Sequence, residues 1–242
     1  MYASHLRTLS ILTLVTLTAG LALAAFYAPI DADQGVMQKI FYLHVPMAIV
    51  ALGGFVWGGI CAAIHLRTRR QIWDLRSYCA LHHALIMACA VLLTGAIWAK
   101  ASWGKWWVWD EPTLVAFLIV FLLYCTYSPL RFAIEEPEKQ ARYASVFAVI
   151  AAVFVPLNFA AVRAATSLVH PRTFDSAGNL PGEMKITFLA CLVGFTLLFV
   201  TLVRYEVAQK HVTFRLRALR RRLGDESVAG RSAAPTLIEE TG

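Results

Sequence analysis

The chain has 242 residues, 59% of them apolar and only 15% charged, with a mean hydropathy of +0.61. A soluble domain of this length needs far more polar surface, so an all-α polytopic membrane protein is expected, with no room for a separate soluble domain. The formal net charge of +7 raises the question of nucleic acid, but the placement of the charge along the chain points to membrane topology and to no nucleic acid.

Six apolar runs reach the ~20 residues needed to cross a bilayer: about 9–29, 41–66, 80–98, 113–132, 143–163 and 184–204. The first, with Arg7 before it and Ala22-Leu23-Ala24-Ala25 near its end, has features of a cleavable signal peptide. It continues through Phe26 and Tyr27 to Pro29, longer than a typical signal core, which favours a retained helix. The second run opens with Phe41-Tyr42-Leu43-His44-Val45-Pro46. Imidazole is costly at membrane depth, so His44 is a functional candidate beside the plainer reading of a hydrogen-bonded interface residue.

Between the third and fourth runs stands Trp103-Gly104-Lys105-Trp106-Trp107-Val108-Trp109-Asp110, with four of the seven tryptophans. Were the segment helical, Trp103, Trp106, Trp107 and Asp110 would share one arc. Such clustering favours a platform for a flat ligand over an interfacial aromatic belt, whose tryptophans are usually scattered over several segments.

The fifth run carries Pro156 and Asn158. Proline frees a carbonyl and bends the helix, and the Asn158 amide could partner that carbonyl. The next loop holds His170, within Ser167-Leu168-Val169-His170-Pro171-Arg172. Beyond the last run, residues 204–223 are basic with apolar interruptions at Phe214, Leu216, Leu219 and Leu223. This suits an amphipathic helix on the anionic inner leaflet, and disorder is expected past Gly224. The domain reading is therefore a six-helix unit over 1–204 and a basic cytoplasmic tail over 205–242.

With the N-terminus inside, the inner segments hold Arg7; Arg67, Arg69, Arg70 and Arg76; Arg131, Lys139 and Arg142; and all the Lys and Arg from Arg204 onward. Only Lys39, Lys100, Lys105, Arg163, Arg172 and Lys185 fall outside. The bias places both termini in the cytoplasm and the tryptophan loop on the outer face. Five scattered cysteines form no CxxC pair, which leaves no disulfide framework, thiolate metal site or CxxCH haem attachment. No Walker-type GxxxxGK[ST] is present, so any use of ATP needs a partner subunit.

In this topology His44 and His170 are the only two histidines that reach the outer side. Haem suits two imidazoles beside an indole surface. Its faces stack on aromatics, its iron accepts two axial nitrogens, and its propionates need cations. Lys39, Lys100, Lys105, Arg163 and Arg172 lie on that side. A zinc site would want a third ligand, for which Asp31, Asp33, Asp110 and Glu111 are weak candidates. A b-type cytochrome would need a second haem near His65, His82 or His83, and a haem transporter would need a polar pathway that only Asn158 and a few hydroxyls suggest.

The segment from Trp103 to Asp110 resembles the WGxWWxWD signature of the haem-handling proteins of cytochrome c maturation. Six spans and one histidine in each outer segment flanking the motif resemble the CcmC family; CcmF and CcsA share the motif but have more spans. The resemblance covers residues ~9–204. It implies haem b held on the periplasmic face of the bacterial inner membrane by axial His44 and His170. Trp103, Trp106, Trp107, Trp109 and Asp110 would form the haem-contacting loop, and Lys105, Arg163 and Arg172 are candidates for the propionates. It further implies an assembly factor rather than an enzyme, which presents haem to the chaperone CcmE. The implied associates are CcmD and the ABC-type subunits CcmA and CcmB. For Asp110, a carboxylate, the better roles are to accept from an indole N–H or to cap the fourth helix. Two stretches depart from the family pattern. Typical members follow the motif with a basic residue and Leu-Thr, where this chain has Glu111-Pro112-Thr113-Leu114. They often carry paired tryptophans before the last histidine, where this chain has Ala164-Ala165-Thr166-Ser167.

Overall fold

The computed structural model describes residues 2–170 and 180–232. Six helices are long and apolar enough to cross a membrane, over 5–27, 36–68, 71–103, 112–132, 137–164 and 182–216, and no strand occurs among the described residues. The elements are α1 (Tyr2–Ala22) with a π-turn at Leu23–Tyr27, a 3-10 turn at Val36–Ile40 leading into α2 (Phe41–Thr68), α3 (Gln71–Trp103), α4 (Pro112–Cys125), α5 (Tyr127–Phe132), α6 (Pro137–Ala164) and α7 (Gly182–Ser232).

The helices outrun the apolar windows read from sequence, most of all α3, which begins at Gln71. Helical backbone bonds are satisfied within the segment and do not stop where the side chains turn polar. The connection from α2 to α3 consequently shrinks to Arg69 and Arg70. Arg69 takes the left-handed conformation (φ 57°) and its N–H caps the His65 carbonyl at 2.7 Å. Between α4 and α5 the helix breaks at Thr126. The Pro129 ring has no N–H for the Cys125 carbonyl and crowds it, which ends the regular ladder there.

Two units divide at residue 204. In the first, α2 is the central element and packs on α3 and α6. Small residues allow the approach: a Cβ at Gly59 would collide with the Ala152 Cβ of α6. The Thr13 and Thr201 hydroxyls bond at 2.7 Å and join α1 to the first part of α7. At the end of the bundle opposite the tryptophan loop, Arg131 makes a two-pronged pair with Asp74, at 2.7 and 2.6 Å. Its guanidinium also lies 5.2 Å from the Tyr78 ring centre and donates to the Tyr127 hydroxyl. The second unit starts at Tyr205 and is helical to Ser232. Its Lys210 pairs with Glu206 at 3.4 Å. Residues 233–242 lie outside the described residues.

Candidate functional site

A cleft of about 220 Å³ opens between α2, α3, α4 and α6 at the end that carries the tryptophan loop. It is mostly apolar, and both His44 and His170 line it, together with Trp98, Trp103, Trp107, Asn158 and Arg163. Two histidines separated by more than 120 residues of sequence thus face one space. The neighbours of Pro46 and Pro156 form part of its wall (Val45 and Ala48 on α2, Val155 and Asn158 on α6).

His44 is half-buried near the start of α2, and its ring is fixed from three sides. Gly95 lies beneath it, Trp98 meets it edge-on with ring centres 5.8 Å apart, and Nδ1 is 3.1 Å from the Thr94 hydroxyl. That hydroxyl has one proton, which it donates to the Ala90 carbonyl at 2.8 Å. Its oxygen therefore accepts from Nδ1–H, which leaves Nε2 deprotonated, the form that binds a metal. Trp98 is itself anchored, since its Nε1–H donates to Gln34 Oε1 at 2.7 Å. Gln34 sits in a turn closed by Asp31, whose carboxylate accepts from the backbone of Asp33 and Gln34.

His170 comes from the loop after α6. Its ring stands 6.3 Å from Trp103, edge to face. The loop is held by Glu111, which is fully buried. One carboxylate oxygen, Oε2, accepts the successive backbone N–H groups of Leu168, Val169 and His170 at 2.9, 2.9 and 3.3 Å. Ser167 closes the turn by donating to the His170 carbonyl at 2.6 Å. Burial pushes the Glu111 carboxyl up, but the backbone donors from Val169, Leu168, His170 and Thr113 outweigh it and bring the pKa down to about 2.

The tryptophan segment is not a helix. α3 ends at Trp103, with Gly104 in the left-handed conformation (φ 73°) as its cap, and 104–111 is a loop. The single arc expected of a helix is therefore not formed. Trp103 and Trp107 face the cleft, whereas Trp106 and Trp109 are 60% and 71% exposed. Trp107 packs edge-on against Trp109. Asp110 is exposed and does not cap α4; Glu111 does, accepting weakly from Thr113 N at 3.4 Å with Pro112 at the first helical position. Nor does Asp110 take the Trp107 indole proton, because that Nε1 is buried without an acceptor among the described residues.

Of the candidate cations, Arg163 lines the cleft, its guanidinium 5.9 Å from the Phe159 ring centre. Lys105 is exposed on the loop, and Arg172 lies outside the described residues. Asn158 does not serve its own helix; its amide donates to the Ala116 carbonyl of α4 at 3.1 Å and ties the two cleft walls together.

The profile of the family described as CcmC, Heme exporter protein C, matches residues 1–222. The chain belongs to that family. Among curated relatives named Heme exporter protein C, this CcmC-family chain is 32% identical to one from Rhodobacter capsulatus over 87% of this chain and 88% of the relative. It is 33% identical to one from Paracoccus denitrificans over 80% and 81%, and 29% identical to one from Escherichia coli K12 over 80% and 78%. A family of haem exporters with six apolar helices is a multi-pass membrane family, and α-helical spans of this kind belong to the bacterial inner membrane.

Sequence reasoning missed Thr94, Gly95 and Trp98, and it missed the part Glu111 plays. The first three recur at helical spacing on one face of α3, Thr94 and Trp98 being i and i+4, and that pattern was readable. In the sequence Glu111 shows only as a weak candidate for a third metal ligand and as a departure from the motif, and neither points to its hold on the 167–170 turn.

Proposed function

We propose that this CcmC-family protein binds haem b at the outer, periplasmic surface of the inner membrane and presents it to a periplasmic haem chaperone, CcmE. In this reading both termini are cytoplasmic, and His44 Nε2 and His170 are the two axial ligands. The observation that carries it is the convergence of these imidazoles, from α2 and from the loop after α6, on one aromatic cleft.

The chemistry of the lining suits the porphyrin. Its apolar faces meet Trp103, Trp107 and the aliphatic walls. Its anionic edge has the Trp107 indole N–H, which finds no acceptor among the described residues, and the Arg163 guanidinium. Haem is the cargo, and its iron supplies the two coordination positions that imidazoles fill. The protein's part is to orient the rings, exclude water from the apolar faces and leave one edge reachable. The exposed Trp106 and Trp109 flank that edge and form the surface offered to the chaperone. Without a nucleotide-binding motif of its own, the chain depends on ABC-type subunits CcmA and CcmB for ATP, with CcmD as a further associate. It acts as an assembly factor and not as an enzyme.

The test is the absorption spectrum of purified protein, wild type against His44→Ala, His170→Ala and the double variant. Each single change should convert a six-coordinate low-spin spectrum to one with a single protein ligand, and the double change should remove most co-purifying haem. Haem retained undiminished by the double variant overturns the assignment.

A further inference from the structure

Glu111 is among the largest fully buried side chains. A buried carboxylate is costly unless its lone pairs are met by donors. Here the donors are the backbone N–H groups of three successive residues, 168 to 170, converging on a single oxygen. Three N–H groups aimed at one point form an anion nest, and the chain fills its own nest. The nest ends on His170, the residue whose imidazole lines the cleft, and Glu111 directly follows Asp110, the last residue of the tryptophan motif. One carboxylate thus joins the start of α4, the end of the tryptophan loop and the segment that carries the second imidazole.

We propose that Glu111 is a positioning residue for the haem site: its carboxylate clamps the 167–170 turn so that the His170 imidazole is held over the cleft. This rests on the reading of His170 as an axial ligand. The clamp acts through the backbone and not on the porphyrin. It follows that Glu111 sets how firmly the second ligand is held, while ligation by His44, fixed independently by Thr94, Gly95 and Trp98, is left intact.

Three variants and two measurements test it. In haem-free protein, hydrogen exchange of amides 168–170 should quicken about tenfold or more in Glu111→Ala, with the rest of the bundle unchanged. Glu111→Gln, which keeps an acceptor oxygen and the shape, should fall between the two and covers the case in which the Ala variant does not fold. In haem-loaded protein, Glu111→Ala should reproduce the His170→Ala spectrum, and added imidazole should restore the six-coordinate low-spin form. A merely structural defect would not be repaired by a free ligand. If His170→Ala loses the second ligand while Glu111→Ala and Glu111→Gln keep both it and the wild-type exchange rates, the clamp is wrong and the ligand assignment stands. If His170→Ala itself leaves the spectrum unchanged, the ligand assignment fails and takes the clamp with it.

Discussion

The His44 imidazole rests on Gly95 so closely that a Cβ at that position would stand 2.8 Å from its Cε1 atom. No real Cβ contact is that short, so a side chain at position 95 must displace the ring or the helix that carries it. Gly95→Ala is expected to weaken haem binding by about 10-fold, the range seen when the support of a metal-ligating histidine is disturbed. Gly53→Ala is the control, since a Cβ there meets nothing within 4 Å. Titration of haem into the purified apo-protein compares the two, and equal affinities would show that the ring tolerates displacement.

The Thr94 hydroxyl fixes the His44 tautomer by accepting from Nδ1. Thr94→Val keeps the shape and removes the acceptor, so Nδ1–H loses its partner and the ring its orientation. Haem affinity should fall about 10-fold and the midpoint potential should rise, because an imidazole that no longer donates is a weaker electron donor to iron. Thr94→Ser should recover both. A Val variant with wild-type potential would remove the hydroxyl from the account.

The tryptophans divide into two pairs by exposure, and the division predicts two phenotypes. Trp103→Ala and Trp107→Ala take away cleft wall and should change the haem spectrum and lower haem content. Trp106→Ala and Trp109→Ala lie outside the cleft and should leave the spectrum alone while slowing transfer to the chaperone. Transfer assayed with purified chaperone, alongside spectra of each variant, separates the pairs. Identical behaviour of all four would mean that the loop works as one surface.

At the opposite end, the Asp74–Arg131 pair is nearly buried, with the side chains 9% and 10% exposed. Arg131→Met leaves a carboxylate without its cation and should cost about 3–5 kcal/mol. Adding Asp74→Leu should return most of that loss, because a buried pair replaced whole by apolar groups is often neutral. Thermal unfolding in detergent of the two single variants and the double variant checks this. Additive losses would show that the two residues act separately.

The six helices were legible because a bilayer imposes one requirement, a run of apolar residues long enough to cross, and each run meets it alone. His44 stands out in the sequence as an imidazole at membrane depth, the tryptophan segment by its clustering, and His170 as the second histidine on the outer side. Helix ends were less legible: α3 begins nine residues before its apolar window, because backbone hydrogen bonding continues into water.

The arrangement within the tryptophan loop was not legible. Helical spacing grouped Trp103, Trp106 and Trp107, but Gly104 takes a positive φ and ends the helix, so that only Trp103 and Trp107 turn inward. The role of Glu111 was hidden for a deeper reason. Its partners are backbone N–H groups some 57 residues away, and backbone donors carry no side-chain signature in a sequence. Composition and apolar length, which are properties of each segment by itself, determined the membrane class and the spans. Only the packing of α2, α3, α4 and α6 decided which side chains share a cleft, because that depends on contacts between segments far apart in the chain.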